Sequence, residues 1–331
     1  MNIHSLFSDL TVAKLKYPYT IVQIPRRNGI FIGMDSETRP CLFISASDKI
    51  LEPMLRTTRL SLFLNQSYCL SFPDSSKKRG NFHALICQST ERDDAETFLS
   101  LVEVFLTNNP DQNSVSKKLV SFFRSMSRLF TINPARDLKA ERQGLWGELF
   151  LMRQIRGVKF WAPFWHSEVM QLFDFSMLNK HVEVKTAIGN NRIHHFSHRQ
   201  IYPKQGEEII VASLLVNEDD KGLSLRILID ECRSALIQTN NYLKLESAIR
   251  HAGMAGCLDP GPMFNPVEAN KSLGWFRSTD LPHFCMPEPP GVSQTSYRVD
   301  LSLASQFDTD ELRIWLDRLP IPAENLHIKR A

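Results

Sequence analysis

The sequence predicts an α/β fold, and three stretches carry that expectation. Residues 209–216 form an eight-residue apolar run, too short for a membrane span and suited to a strand buried on both faces at the centre of a sheet. Residues 173–185 alternate apolar and polar with period two on either side of a turn. Between residues 133 and 155, apolar residues recur at helical spacing instead. A mixed sheet carrying the hairpin and the apolar run, flanked by that helix and by a short helix at Gln200, accommodates all three.

In chain order, residues 1–90 read as β-rich, with strand candidates at 19–24, 29–34, 41–45, 60–63, 68–72 and 82–87 separated by Gly, Pro and Ser breaks. This part carries no catalytic constellation, so it is either a recognition module or a packed extension of the central core. Residues 91–106 read as a helix, stopped by Asn108-Asn109-Pro110-Asp111. Over residues 115–130, Val115, Leu119, Phe122, Phe123, Met126, Leu129 and Phe130 share one helix face, and Lys117, Arg124 and Arg128 line the other. Such a basic face is either simply solvated or lies along a nucleic-acid backbone.

Asn133-Pro134 reads as an N-cap followed by proline at the first helical position, opening a helix to about Ile155. Leu138, Leu145, Leu149, Met152 and Ile155 form its buried stripe. Glu148 falls between Met152 and Ile155 on the wheel and should point inward, where an ionised carboxylate is costly unless it is paired or binds a metal. Arg142 or Arg153 is the partner that would satisfy it without a metal, and Glu141, two turns earlier, is the competing acidic position. Gly144 and Gly147 each cost about 1 kcal/mol of helix propensity. Close approach of the helix to the sheet would explain both.

In the hairpin, Val182 and Val184 face the core, so Glu183 and Lys185 share the other face; Phe173 and Phe175 likewise leave Asp174 and Ser176 opposite them. An even-numbered connection, such as Asn179-Lys180 or Met177 to Lys180, places Asp174 across from Lys185 or Glu183 on one face. A three-residue loop would break that arrangement. Asn179 suits the turn because it tolerates positive φ. The alternative is an edge hairpin with a solvated, charged outer face.

After the hairpin, Arg192, His194, His195, His198 and Arg199 crowd into eight positions. Without cysteine partners or a helical ligand spacing they do not read as a zinc site; they form either a phosphate-contacting segment or an ordinary polar loop. Residues 230–249 look largely helical, 258–266 and 281–291 are Pro-rich connections, and 297–303 is a strand candidate. Asp308-Thr309-Asp310-Glu311 starts a last helix that ends near Pro320.

With 331 residues, 43% hydrophobic, the chain is long enough for two or three packed units, read as 1–110, 111–230 and 231–331. A net charge of +3 does not by itself identify a nucleic-acid ligand. Six scattered cysteines, with no Cys-x-x-Cys pair and no signal peptide at the N-terminus, read as free thiols of a cytoplasmic protein. No apolar run is long enough to span a membrane.

Three acidic-x-Lys triplets occur: Asp137-Leu138-Lys139 in the helical pattern, Asp219-Asp220-Lys221 in a polar turn, and Glu183-Val184-Lys185. Only the last lies in a β-branched run with a second carboxylate on a neighbouring strand. Carboxylates held close together repel one another, and a hard divalent cation removes that repulsion while taking oxygen ligands. Convergence of Asp174, Glu183 and Glu148 beside Lys185 is therefore the chemistry of a metal-dependent nuclease.

At these residues the chain resembles the PD-(D/E)XK nuclease superfamily, and within it a group of bacterial proteins of restriction and phage-defence loci. The resemblance rests on Gly144-Leu145-Trp146-Gly147-Glu148-Leu149, on Asp174-Phe175, on Glu183-Val184-Lys185-Thr186, and on Arg192-Ile193-His194-His195-Phe196-Ser197 leading to Gln200. It is strong over residues 140–216, and Phe173 stands where the superfamily's literal proline would be. It implies a restriction-endonuclease-like core that hydrolyses DNA phosphodiesters. Asp174 and Glu183 would bind Mg2+, for which Mn2+ can substitute, with the Val184 carbonyl and Glu148 as further ligands and Lys185 orienting or activating the nucleophile. Arg192, His194, His195, Ser197, Arg199 and Gln200 would contact the nucleic acid, with Lys117, Arg124 and Arg128 as a second basic stripe. A defence-system ATPase or methyltransferase and a second copy of the chain are the implied protein partners. The alternative is a non-catalytic subunit that binds nucleic acid or scaffolds a defence complex.

Overall fold

The computed structural model describes residues 3–12, 17–46, 54–109, 115–129, 138–165, 172–237, 239–255 and 259–319. The chain folds as two compact units, Met1–Pro134 with Ile237–Glu246, and Ala135–Leu236 with Ser247–Ala331.

The first unit opens with α1 (Ile3–Val12) and builds β1 (Tyr19–Gln23), β2 (Ile30–Asp35), β3 (Pro40–Ser45), β4 (Leu55–Arg56), β5 (Leu60–Ser71) and β6 (Lys77–Cys87), followed by α2 (Arg92–Asn108) and α3 (Val115–Leu129). The strands lie in the order β1-β2-β3-β6-β5-β4, and a parallel contact between Thr20 and Ser71 brings β1 back against β5. Ile21, Phe31, Cys41, Phe43, Leu70, Phe82, Ala84 and Ile86 fill the core. The two strands expected at 60–63 and 68–72 are one. The polar break between them is a β-bulge between Phe63 and Gln66, not a turn. Asn65 takes a φ of 51° there, and its N–H donates to His83 Nδ1 at 3.2 Å. An asparagine in the left-handed region bends a strand without ending it.

The second unit contains α4 (Lys139–Gln154), α5 (Val158–Trp161), β7 (Phe175–Met177), β8 (Lys180–Ile188), β9 (Ile193–Ser197), α6 (His198–Ile201), β10 (Glu208–Val216), β11 (Glu218–Ser224) and α7 (Leu225–Leu236). Beyond α8 (Tyr242–His251) come β12 (Met263–Phe264), α9 (Pro266–Ser272), β13 (Gly274–Arg277), β14 (Ser296–Asp300) and α10 (Thr309–Asp317). The main sheet runs β13-β10-β8-β7, with β10 parallel to β8 and the other pairs antiparallel. As its apolar run requires, β10 is an interior strand. Register and alternation put Val182, Val184 and Thr186 on one face with Ile210, Ala212 and Leu214, and Glu183 and Lys185 on the other with Val211 and Ser213. That second face is covered by the β9–β14 ribbon through a cluster of Phe196, Ile201, Val211, Phe276, Leu281, Val299 and Leu301.

α4 lies against the valine face. Its expected start at Asn133-Pro134 lies outside the described residues; within them Leu138 occupies the N-cap and Ile155 the C-cap. Of the expected stripe, Leu145, Leu149 and Met152 are buried, while Leu138 and Ile155 at the two caps are half-buried; Trp146 and Phe150 are buried too, their rings stacked 4.6 Å apart, and Trp146 Nε1 donates to the Leu223 carbonyl at 2.8 Å. Of the two glycines, only Gly147 marks a close approach: a Cβ there would lie 2.0 Å from Thr186 Oγ1, whereas at Gly144 it would meet nothing within 4 Å. The expectation that packing explains both is corrected for Gly144.

The expected helix at 230–249 is two helices, α7 and α8, and the Pro-rich connection at 258–266 contains β12 and the start of α9. Asn265 caps α9 by accepting from the Val267 and Glu268 amides, with Pro266 in the first turn. The expected strand at 297–303 ends at Asp300 and turns into one 3-10 turn, while Asp308 caps α10 through the Glu311 amide at 2.7 Å. Asp219-Asp220-Lys221 loops out of the bulged β11, and Asp137 lies outside the described residues. Cys41, Cys69, Cys87, Cys232 and Cys285 are free thiols, and Cys257 lies outside the described residues. No described helix is long and apolar enough to cross a membrane.

Candidate active site

The β7–β8 connection is the two-residue turn Leu178-Asn179, with Phe175 opposite Val182, Ser176 opposite His181 and Met177 opposite Lys180. This even loop carries Asp174 to the position across from Glu183. The positive φ falls on Leu178, at 59°, and not on Asn179. Asn179 ties the turn to the start of β10 instead: its Nδ2 donates to the Gly206 carbonyl at 2.6 Å and its carbonyl accepts from the Glu208 amide at 2.8 Å.

β7 stops one rung short. Where the next backbone acceptor would stand, Asp174 Oδ2 accepts from the Val184 amide at 2.7 Å. A strand residue points its N–H and C=O to the same edge, so the Val184 carbonyl also faces the gap left by β7, beside that carboxylate.

Glu183 is 3% exposed. Its Oε1 accepts from Lys185 Nζ at 2.7 Å and from Gln200 Nε2 at 2.6 Å. Oε2 is buried with no hydrogen-bond partner among the described residues. Gln200 is itself fixed, its Oε1 accepting from the Ser197 amide at 3.0 Å and its Nε2 also donating to the Leu172 carbonyl at 3.0 Å. Lys185 Nζ lies 5.0 Å from the centroid of the Phe196 ring, a cation–π contact that holds the amine against the ribbon. On the other face of the sheet, Glu148 Oε2 accepts from Trp165 Nε1 at 2.7 Å, close enough for its charge to act on Asp174 and Lys185.

The four side chains act on one another's protons. Burial, with the charge of Glu183, raises the Glu148 carboxyl to about 7 against the opposing pull of the Trp165 hydrogen bond. Burial and the charges of Glu183 and Glu148 push Asp174 well above the carboxylate range, and burial raises Glu183 too. Burial disfavours the charged form of Lys185, but Glu183, Asp174 and Glu148 outweigh it and the amine is held more firmly protonated than a free lysine. The arginines expected as alternative partners of Glu148 are engaged elsewhere: Arg142 binds the Ala252 and Gly253 carbonyls and Asp259, and Arg153 pairs with Glu231.

Among the described residues no three His, Cys, Asp or Glu side chains stand together at ligating separation. Lys185 and the Val184 amide occupy the oxygens that a cation would take. The donor set is nonetheless all oxygen, and it includes one orphaned, buried carboxylate oxygen on Glu183. Such a set fits a hard divalent cation such as Mg2+ or Mn2+.

The model of a family described as "Putative PD-(D/E)XK family member, (DUF4420)" matches residues 6–302. The chain belongs to this family. PD-(D/E)XK proteins are in general nucleases, so membership carries a nuclease-like function. No curated protein and no solved structure matches the chain.

The basic segment of this family member sorts itself by strand alternation. Arg192 is turned inward: its Nη1 donates to the Ser213 carbonyl and Oγ, both at 2.9 Å, and its Nη2 to the Ser272 carbonyl. His194 is buried, its Nε2 2.8 Å from Ser213 Oγ, and burial together with the Lys185 and Arg192 charges lowers its pKa to about 4. It is neutral near pH 7, and neither side chain faces outward as a phosphate contact would. His195 is exposed on the outer face of the ribbon, and Arg199 is half-buried, 4.0 Å from Glu207. Ser197 is the N-cap of α6. Lys117 and Arg124 are exposed on α3 in the first unit, and the side chain of Arg128 lies outside the described residues.

Three further residues belong in this picture: Trp165 and Phe196, which hold Glu148 and Lys185, and Arg298, exposed opposite His195 across the β9–β14 ladder. The alternation of 297–303 predicts a strand but not its partner, so the sequence held no signal for the His195–Arg298 pair.

Proposed function

We propose that this protein is a Mg2+-dependent DNA endonuclease. The observation that carries the reading is the geometry where β7 ends: Asp174 held on the Val184 amide, and next to it Glu183 with Lys185 Nζ at 2.7 Å and one buried carboxylate oxygen without a partner among the described residues. Asp174, Glu183, the Val184 carbonyl and Glu148 would hold the cation. Bound there, Mg2+ or Mn2+ supplies polarisation of the scissile phosphate and a water of lowered pKa.

The chain's own groups do the rest. Lys185, kept protonated by its acidic neighbours, stabilises the charge that develops on the phosphoryl oxygens. Gln200 fixes the rotamer of Glu183, and Trp165 that of Glu148. The exposed Arg298 offers a cation, and the exposed His195 a ring nitrogen, to the backbone of a bound strand. Action in bacterial restriction or phage defence, alongside an ATPase or methyltransferase, rests on the resemblance of residues 140–216. A two-fold dimer would suit cutting of both strands.

Incubation of the purified chain with plasmid and Mg2+, beside Asp174→Ala and Lys185→Ala, tests the reading. Nicked or linear product is expected from the unaltered chain, with at least a hundredfold loss in either variant, about what one preorganised charge-stabilising group supplies. Retained DNA binding with no cutting under any divalent metal would replace this reading with that of a non-catalytic subunit.

A further inference from the structure

Several cations of the first unit are neutralised by their neighbours: Arg39 pairs with Asp35 at 2.7 Å, Arg59 with Asp94 at 2.7 Å and Arg92 with Glu96 at 2.8 Å. Lys77, Lys78 and Arg79 are not. These three consecutive exposed residues open β6 and make no ion pair among the described residues.

β6 pairs with β3 only from Phe82 to Ile86, and from Lys77 to Gly80 no described strand takes its other edge. The outer half of β6 is therefore a ribbon with β5, in which Cys69 faces Arg79 and Ser67 faces Asn81. Alternation sorts its side chains. Tyr68, Leu70 and Phe82 turn toward the core of the unit, and Lys78 follows them, its Nζ 5.2 Å from the centroid of the Phe31 ring. Lys77, Arg79, Asn81, Ser67 and Cys69 share the outer face and are exposed. Lys77 is braced there, its Nζ 5.6 Å from the centroid of the Tyr17 ring.

A face of Lys, Arg, Asn and Ser without an acid suits an anion that carries many charges. Asp74, in the turn before β6, is committed to the Ser76 amide, which donates to it at 2.9 Å. No exposed large apolar side chain of the described residues falls on the ribbon, so it lacks the apolar face that a peripheral membrane protein inserts. A nucleic-acid backbone needs none: Lys and Arg bind its phosphates, and Ser and Asn side chains bond to phosphate and sugar. Spacing agrees. Lys77 and Arg79 stand roughly 6.6 Å apart along the strand, and one DNA strand carries a charge about every 3.4 Å of axis, so a short stretch of one backbone reaches both.

We propose that the outer face of the β5–β6 ribbon is a DNA-binding surface of the first unit, on which Lys77 and Arg79 contact backbone phosphates. The proposal rests on the nuclease reading for its choice of polyanion, and it gives the chain a hold on DNA outside the unit that carries the acidic cluster. Such a hold is independent of sequence and steeply dependent on salt.

The test follows binding of the full chain in EDTA to a fluorescein-labelled duplex by anisotropy, over a salt series from about 50 to 200 mM. Lys77→Gln combined with Arg79→Gln should make the slope of log K against log salt shallower by about 1.8, the equivalent of two phosphate contacts. Arg79→Lys keeps the charge and should leave the slope. Arg92→Gln combined with Arg313→Gln removes as much charge from acid-paired positions and should leave it too. A slope unmoved by the ribbon variant, or moved equally by the acid-paired one, overturns the proposal. Self-association of the ribbon variant with the slope unmoved would assign these cations to guarding the open edge of β6. Lost binding to phosphatidylserine vesicles with the slope unmoved would assign them to an anionic membrane. Plasmid cutting in Mg2+ is scored separately. Cutting with an unmoved slope leaves the nuclease reading standing without the ribbon, and ribbon-dependent binding without cutting leaves the ribbon standing without the nuclease. Absence of DNA binding overturns the ribbon, and absence of both binding and cutting overturns both.

Discussion

Replacing Glu148 with glutamine removes one ionisable group from the acidic cluster and keeps its shape, including an oxygen able to accept from Trp165 Nε1. In the folded chain the Glu148 carboxyl titrates at about 7, against 4.5 when unperturbed. At about 1.4 kcal/mol per pH unit, that difference gives the neutral form a preference of roughly 3 kcal/mol. Because the folded pKa is the higher one, the folded state binds more protons between pH 4.5 and 7. The stability contributed by Glu148 is full below that window and is lost as pH rises through it. Without divalent metal, Glu148→Gln should therefore match the unaltered chain near pH 5 and exceed it by up to about 3 kcal/mol at pH 8. Asp174, Glu183 and His194 also titrate, so the stability of either protein alone follows several groups; the difference between the two reads Glu148 together with its effect on the Asp174 carboxyl, and loss of the Glu148 charge acts on both in the same direction. Urea denaturation in EDTA across pH 5–8 measures it. A difference that stays flat, or that favours the unaltered chain more as pH rises, would refute the placement of Glu148 beside Asp174 and Glu183.

Three further outcomes are expected. Lys185→Met should destabilise the metal-free chain at pH 7 by about 3 kcal/mol by leaving Glu183 unpaired, and Glu183→Gln in the same chain should restore most of it; a double variant no better than the single would show that the pair is not coupled. Gly147→Ala should cost about 1–3 kcal/mol through its contact with Thr186, while Gly144→Ala should gain up to about 1 kcal/mol, both read from chemical denaturation. His194 has a folded pKa of about 4, below its ordinary 6.5, so its contribution is present above pH 6.5 and lost as pH falls toward 4. NMR titration of its ring should show no protonation above pH 5.5, and a midpoint near 6.5 would place the ring in solvent.

Sequence reaches the elements whose period is set by a single buried face. The alternation of 173–185 and 209–216 specifies strands because each side chain there has one direction to go, and parity then sets which carboxylates share a face. It does not reach features that depend on what a second element brings. Gly144 and Gly147 are equivalent in sequence, and only the position of Thr186 on β8 separates the one that must be glycine. The polar break at residues 65–67 resembles a turn because a bulge and a turn use the same residues. The difference lies in β6, which continues past it as the partner strand. Asn265-Pro266 is a helix-start signal of the same kind as Asn133-Pro134, but neighbouring prolines disguise it as part of a connection.

The basic segment shows how much a missing period costs. Arg192, His194, His195 and Arg199 look alike as a cluster of charge, and grouping them as phosphate contacts treats them as a loop. Once residues 193–197 are a strand, alternation sends His194 and Phe196 inward and His195 outward, and Ser213 becomes the polar partner that makes burial of His194 tolerable. Gln200 is the converse. Its place in the chain groups it with the nucleic-acid contacts, yet its amide is committed to Glu183, the Leu172 carbonyl and the Ser197 amide. A side chain so occupied can act on substrate only by fixing the carboxylate. Gln200→Glu should therefore disturb the site more than Gln200→Ala, because it sets a fourth acid against Glu183 where an amide donor had stood.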